Sequence, residues 1–323
     1  MITVSLVQDE STPRTDLDVD DISEVIKDPD AVMWVDVLRP TDEEIAIVDR
    51  EFDIHPLALQ ALRHTSARPE IDFYDSFIYL NFYVVHPSSD MTLIEPRLIS
   101  FFVGSNYLVT VHDEPLRVVE EVHRNWTQST AEVGDRRIGL LLYSILDSLV
   151  DQYFATIDSM SDTMENLEDA IFQAKGGSSL QQLFDFKKQV MAFRRIVAPE
   201  RDVLNALIRG DSPMVDRQTS VYMQDVYDHL LRVIDSLDNY RDLLSNILDA
   251  HLSVTSNRLN HTMKTLAASS IILMSMTLVA SIYGMNFDHI PELSWRFGYW
   301  WALGLMASIG FSLIYAFRKI DWI

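Results

Sequence analysis

One face of an apolar C-terminal segment carries the side chains best suited to meeting an ion. Stepped at i, i+3 and i+4, Asn260, Met263, Ala267, Ser270, Met274, Thr277 and Ser281 share a single helical stripe. The stripe is small or polar, holds two flexible methionines and bears no charge. Neutral amide, hydroxyl and carbonyl oxygens can accept hydrogen bonds from the water shell of Mg²⁺, a small, hard cation that gives up its waters reluctantly. A ring of buried carboxylates would hold such an ion too firmly, because conduction needs weak, successive sites. The stripe ends at Tyr283-Gly284-Met285-Asn286-Phe287, followed by Ile290-Pro291-Glu292-Leu293. Two ordinary explanations stand beside a pore. Close helix–helix packing also selects small, hydroxylated faces, and Gly or Asn in the left-handed conformation often caps a helix C-terminus.

The stripe needs a helix in a membrane to position it, and the segment supplies one. Thr265–Tyr283 and Phe297–Phe317 are uncharged apolar runs of 19 and 21 residues, close to the roughly 20 that span a bilayer. Trp295, Tyr299, Trp300 and Trp301 cluster at the start of the second run, as interfacial aromatics do. Thirteen residues separate the runs, which predicts a tight helical hairpin. Arg258 and Lys264 precede it and Arg318 and Lys319 follow it, while the loop holds Arg296 alone. The positive-inside rule then places both chain ends in the cytoplasm. Neither run contains His, and the chain has no Cys. This weakens a zinc-selective intramembrane site and rules out disulfides and thiolate metal ligands.

Ahead of the first run no Gly or Pro occurs over the 70 residues from Met214 to Tyr283. Val226, Leu230, Val233, Leu237, Tyr240, Leu244 and Ile247 repeat at alternating spacings of four and three, a heptad seam. The stretch predicts one helix of roughly 100 Å, its seam packed within the subunit or against other copies. Arg137–Ala174 and Leu180–Arg209 also read as helices, broken at Gly176-Gly177 and stopped by Gly210 and Pro213. Nearer the N-terminus, Ala31–Val37 and Phe77–Val85 read as strands, and Leu98–Val103 with Tyr107–Val111 as a hairpin around Gly104-Ser105-Asn106. Thr41-Asp42-Glu43-Glu44 is a helix start.

Charge and motifs narrow the classes further. The net charge is −22, and its excess of 45 acids over 23 bases lies wholly in residues 1–264. Such a surface repels nucleic acid and attracts cations. Asp16, Asp18, Asp20, Asp21 and Glu24 occupy a start without an apolar core segment, which argues against a cleaved signal or a transit peptide. No phosphate loop, nucleophile elbow or His-Glu-x-x-His is present, so an enzyme is not expected.

Gly284-Met285-Asn286 between two C-terminal spans, after a long helix and before a Pro-Glu loop and a basic-aromatic tail, resembles the CorA magnesium transporter family. The likeness extends through Trp34-Val35-Asp36, His55-Pro56-Leu57-Ala58-Leu59, Arg68-Pro69 and Phe193-Arg194-Arg195 to Pro199. It implies an α+β membrane protein: a cytoplasmic α/β domain over 1–125, a helical stalk or funnel over 126–264, and a two-helix pore domain over 265–323 with an outer loop at 284–296. It further implies a homopentameric channel for Mg²⁺, with Co²⁺ and Ni²⁺ as further ions, in a bacterial or archaeal plasma membrane and without an organic cofactor. Gly284, Met285 and Asn286 would form the selectivity filter, and Asn260, Met263, Leu266, Ser270, Met274, Thr277 and Ser281 the lining and gate. Asp225 and His229, which leave one helix face a turn apart, would bind regulatory Mg²⁺ together with Asp249; a solvated surface pair is the plain alternative. Two features depart from the family pattern. Gln60-Ala61 stands where an acidic pair is frequent, and Ser281 where Gly is usual. A related Zn²⁺ branch usually carries Ile at the Met285 position, and a two-span anchor for an adaptor would leave the uncharged stripe unexplained.

Overall fold

A computed structural model describes residues 1–7, 14, 15, 17, 19, 22–63, 68–86, 95–128, 138–172, 177–210, 214–286 and 291–323. Readings that fell on Asp16, Asp18, Asp20, Asp21, Arg137, Ala174, Gly176, Pro213, Phe287 and Ile290 lie outside the described residues. The chain divides into two compact units, Met1–Ser245 and Asn246–Ile323.

The first unit contains a mixed sheet of β1 (Ile2–Val7), β2 (Val32–Leu38), β3 (Ile71–Phe73), β4 (Ile78–His86), β5 (Glu95–Val103) and β6 (Tyr107–His112). Their order is β1-β2-β6-β5-β4-β3, and β2 with β6 is the parallel pair. Alternation along β2 decides its two faces. Met33, Val35 and Val37 join a core with Val48, Phe52 and Ala58, which come from α2 (Asp42–Phe52) and α3 (Pro56–Leu62). Trp34 and Asp36 face the other way, and Trp34 meets His123 and Trp126 of α4 (Arg117–Gln128) at ring-centre distances of 5.2 and 6.0 Å. A short α1 (Ile22–Val25) precedes β2. The Thr41 signature forms a complete capping box: its hydroxyl accepts from the Glu44 amide at 3.2 Å, and Glu44 Oε2 accepts from the Thr41 amide at 2.9 Å. The β5–β6 turn needs Gly104, because a Cβ there would lie 2.1 Å from the Tyr107 ring.

A buried polar network crosses the parallel pair. His112 has its Nδ1 2.6 Å from the Glu114 carbonyl oxygen and its Nε2 3.0 Å from Asp36 Oδ1. A backbone carbonyl on one side and a carboxyl oxygen on the other suit an imidazole with a proton on each ring nitrogen. Burial alone would lower its pKa, but the Asp36 carboxylate and the Glu114 carbonyl outweigh that and raise it.

Three long helices complete the unit: α5 (Ile138–Phe172), α6 (Gly177–Arg209) and the first part of α7 (Arg217–Tyr283). The heptad seam is buried inside the chain itself, with Val226, Leu230, Val233 and Leu237 wholly inaccessible and Leu244 and Ile247 nearly so. Tyr240 donates its hydroxyl proton to the Ile157 carbonyl of α5 at 3.2 Å. Burying each aliphatic side chain is worth roughly 1.5–3 kcal/mol, whereas a half-exposed pair such as Arg194–Asp238 at 2.7 Å contributes about 1 kcal/mol or less. The seam therefore fixes α7 against its neighbours. The apolar part of α5 is also long enough to span a membrane, but half of it is already buried in this unit.

The second unit holds the remainder of α7, a 3-10 turn at Pro291–Ser294 and α8 (Gly298–Lys319). The most apolar stretches of α7 and α8 are each only 11% buried. Leu273, Met274, Leu278, Trp300, Phe311 and Tyr315 all lie more than half exposed. Two neighbouring helices uncovered to this extent require a lipid or protein surround.

Candidate pore face and metal centre

Within the second unit α8 covers one side of α7. The Thr265 hydroxyl donates to the Trp322 carbonyl at 3.1 Å, and Trp322 stacks on Phe317 with ring centres 5.6 Å apart. Met276 Sδ lies 3.7 Å from where a Cβ on Gly310 would sit. Ala268 and Val279 are buried and Ile272 is half-buried. At 3.6 residues per turn, the candidate stripe lies about half a turn away from these residues. Its members Asn260, Met263, Ala267, Ser270, Met274, Thr277 and Ser281 are all exposed, as is Leu266 beside them. Packing against α8 thus does not account for the stripe.

Two hydroxyls on this face have a fixed polarity. Ser270 Oγ donates to the Leu266 carbonyl and Thr277 Oγ1 to the Leu273 carbonyl, each at 2.8 Å. With the proton engaged in the helix, the remaining lone pairs are acceptors. Such acceptors match the outward-pointing hydrogens of a hydrated cation.

Past Tyr283 the helix closes in a tightened turn, in which the Gly284 amide donates to the Ala280 and Ser281 carbonyls at 3.0 and 3.2 Å. Neither Gly284 nor Asn286 adopts a positive φ, so the left-handed capping reading of this tripeptide fails. A Cβ on Gly284 would meet only ordinary contacts, the nearest at 3.4 Å. The chain's own backbone therefore demands neither residue type. Gly284, Met285 and Asn286 are all exposed at the end of the stripe.

A separate acidic cluster lies in the first unit. His229 of α7 faces Asp147 and Asp151, one turn apart on α5, and one ligand atom from each lies within 4.8 Å of the others. His229 Nδ1 is 3.8 Å from Asp147, and His229 Nε2 is 3.8 Å from Asp225. Among the described residues the buried His229 Nδ1 has no hydrogen-bond partner, and the Phe154 ring stands edge-on to the imidazole at 5.8 Å. Burial first, and then the Asp151 carboxylate, raise the Asp147 pKa; His229 offsets part of this, and Asp225 adds to it. Three carboxylates around one imidazole leave surplus negative charge and an unpaired nitrogen. That donor set suits a hard or borderline divalent cation. Sequence reading found Asp225 and His229 but missed Asp147 and Asp151, whose own four-residue spacing mirrors that of the α7 pair. Asp249 is exposed and outside this cluster, and Gln60 is exposed on α3.

The family described as CorA-like Mg²⁺ transporter protein matches residues 29–319. The chain is 33% identical to YfjQ of Bacillus subtilis over 300 residues, covering 93% of this chain and 92% of that protein. It is 29% identical to the cobalt/magnesium transport protein CorA of Thermotoga maritima over 299 residues, covering 92% and 85%. Among solved structures, the complete CorA magnesium transporter of Methanocaldococcus jannaschii superposes with a TM-score of 0.83 at 25% identity, covering 100% of this chain and 99% of that one.

Proposed function

The chain belongs to the CorA-like Mg²⁺ transporter family, and from that membership we propose that five copies form a channel passing hydrated Mg²⁺ into the cytoplasm. The observation that carries this reading is the uncharged stripe on α7. It faces away from α8, has the Ser270 and Thr277 hydroxyl protons engaged internally, and ends in residue types that the single chain does not need. In an assembly the stripes would converge, and the acceptor oxygens of Asn260, Ser270, Thr277, Ser281 and Asn286 would hold the ion's water shell. Met263, Leu266 and Met274 would form apolar constrictions that gate by dewetting. A negative-inside potential favours entry of a divalent ion by about 4.6 kcal/mol per 100 mV.

Regulation would come from the first unit. Cytoplasmic Mg²⁺ bound among Asp147, Asp151, Asp225 and His229 would stabilise the closed state by binding it better than the open one. Gln60-Ala61 offers no carboxylate from α3, so inhibition would be weaker than in relatives with an acidic pair there. Asp249 would add charge to the same helix. Co²⁺ and Ni²⁺ would enter as similarly hydrated ions, and the basic flanks of the two spans would keep both termini in the cytoplasm of a plasma-membrane channel.

Flux into liposomes containing purified protein, measured with Mg²⁺ and with Zn²⁺, tests the proposal. Asn286→Ala should abolish Mg²⁺ entry without changing expression or assembly. Near-normal flux through that variant would refute the filter, and preferential Zn²⁺ flux would refute the ion assignment.

A further inference from the structure

We propose that Glu200 is a buried, protonated carboxylic acid at neutral pH, and that it forms a pH-sensitive latch joining β4, α5 and α6. The hydrogen-bond geometry around Glu200 fixes a count of protons. Glu200 of α6 is wholly inaccessible. Its Oε1 accepts the Tyr83 amide of β4 at 2.8 Å. The Tyr153 hydroxyl of α5 lies 3.0 Å from both carboxyl oxygens and also hydrogen-bonds the Tyr83 carbonyl. If the carboxyl were ionised, the single Tyr153 proton would have to serve two acceptors, the carboxylate and the Tyr83 carbonyl. With Glu200 protonated the ring closes. The Tyr83 N–H donates to Oε1, the carboxyl O–H donates to the Tyr153 oxygen, and the Tyr153 O–H donates to the Tyr83 carbonyl. Every donor and acceptor in the ring is then used.

Electrostatics agree with the count. The ionisable groups that face Glu200 are Tyr83 from β4 and Tyr153 from α5, and among the described residues no cationic side chain pairs with it. On its own helix, the neighbouring Arg201 is bonded to Asp202 at 2.7 Å. An unpaired buried carboxylate is costly. Burial raises the Glu200 pKa to about 8, against the pull of the Tyr83 amide and the Tyr153 hydroxyl. The sign follows from linkage. The proton is held to about pH 8 when the latch is closed but is lost near the ordinary 4.5 when it is open to water. The opening equilibrium should therefore rise about tenfold per pH unit between those values and level off above them.

Two measurements on the full-length protein test this. Infrared difference spectra between wild type and Glu200→Gln should show the carbonyl stretch of a protonated carboxylic acid at neutral pH, lost with a midpoint near 8. Gln can accept and donate as the neutral acid does, so this variant should fold. Hydrogen exchange at the Tyr83 amide, corrected for intrinsic rates, should show the tenfold slope in wild type and none in Glu200→Gln. Absence of the band at neutral pH, or identical exchange slopes in the two proteins, would overturn the proposal.

Discussion

Replacing Asp147 by Asn tests the metal cluster with little change of shape. The substitution removes one negative charge from a site whose ligand atoms lie within 4.8 Å of one another, so a cation seated among them would be about 4 Å or less from the lost charge. Asp147 and His229 keep 28% and 21% of their side-chain surface exposed, so a lower bound takes the dielectric of water. A divalent ion at 4 Å then loses about 2 kcal/mol, or about 30-fold in affinity. Without metal the change should cost nothing, because burial and the Asp151 carboxylate already disfavour the Asp147 charge. The assay is the Mg²⁺ concentration needed for a fixed rise in Tm of the full-length protein in detergent, since a bound ion raises stability with the logarithm of its concentration and that concentration scales with the dissociation constant. Asp158→Asn, at an exposed position elsewhere on α5, controls for general loss of acidity. A shift of less than threefold for Asp147→Asn, or an equal shift for the control, would refute the site.

Three further outcomes are expected. Cysteines placed at Ser270, Thr277 and Ser281 should react with water-soluble thiol reagents while those at Ile272 and Val279 should not, a clean comparison in a chain that lacks native cysteine; uniform protection would favour helix packing over a pore. Gly284→Ala should fold normally, because its Cβ meets nothing closer than 3.4 Å within the chain, yet should lose Mg²⁺ flux if the ring it joins is crowded by other copies; undiminished flux would remove Gly284 from the filter. His112 has a raised pKa, so its pairing with Asp36 stabilises fully below the unfolded value of 6.5 and is lost as pH rises through the folded one; the stability difference between wild type and Asp36→Asn, followed by thermal unfolding, should therefore be largest on the acid side and shrink as the pH is raised.

What could be read from the sequence depended on whether the cause was local. Thr41 and Glu44 form their capping box from four adjacent residues. The α7 seam announces itself by spacing alone, although spacing left open what it packs against, and the structure buries it within the chain. β1 and the three-residue β3 give no comparable signal, because each exists through the strand it pairs with, β2 and β4 respectively. The same distinction separates the halves of the candidate sites. Asp225 and His229 are visible as neighbours on one helix, but Asp147 and Asp151 become their partners only when α5 folds back across about 80 residues of chain. At Gly284-Met285-Asn286 the order is reversed. The sequence offered a local cause, left-handed capping, and the backbone removes it. A tripeptide that its own helix end does not require, exposed beyond a stripe that α8 does not cover, has its explanation outside the single chain. The proposed channel would place that selection on other copies and on the ion between them, which is why single-copy folding and flux should separate in Gly284→Ala.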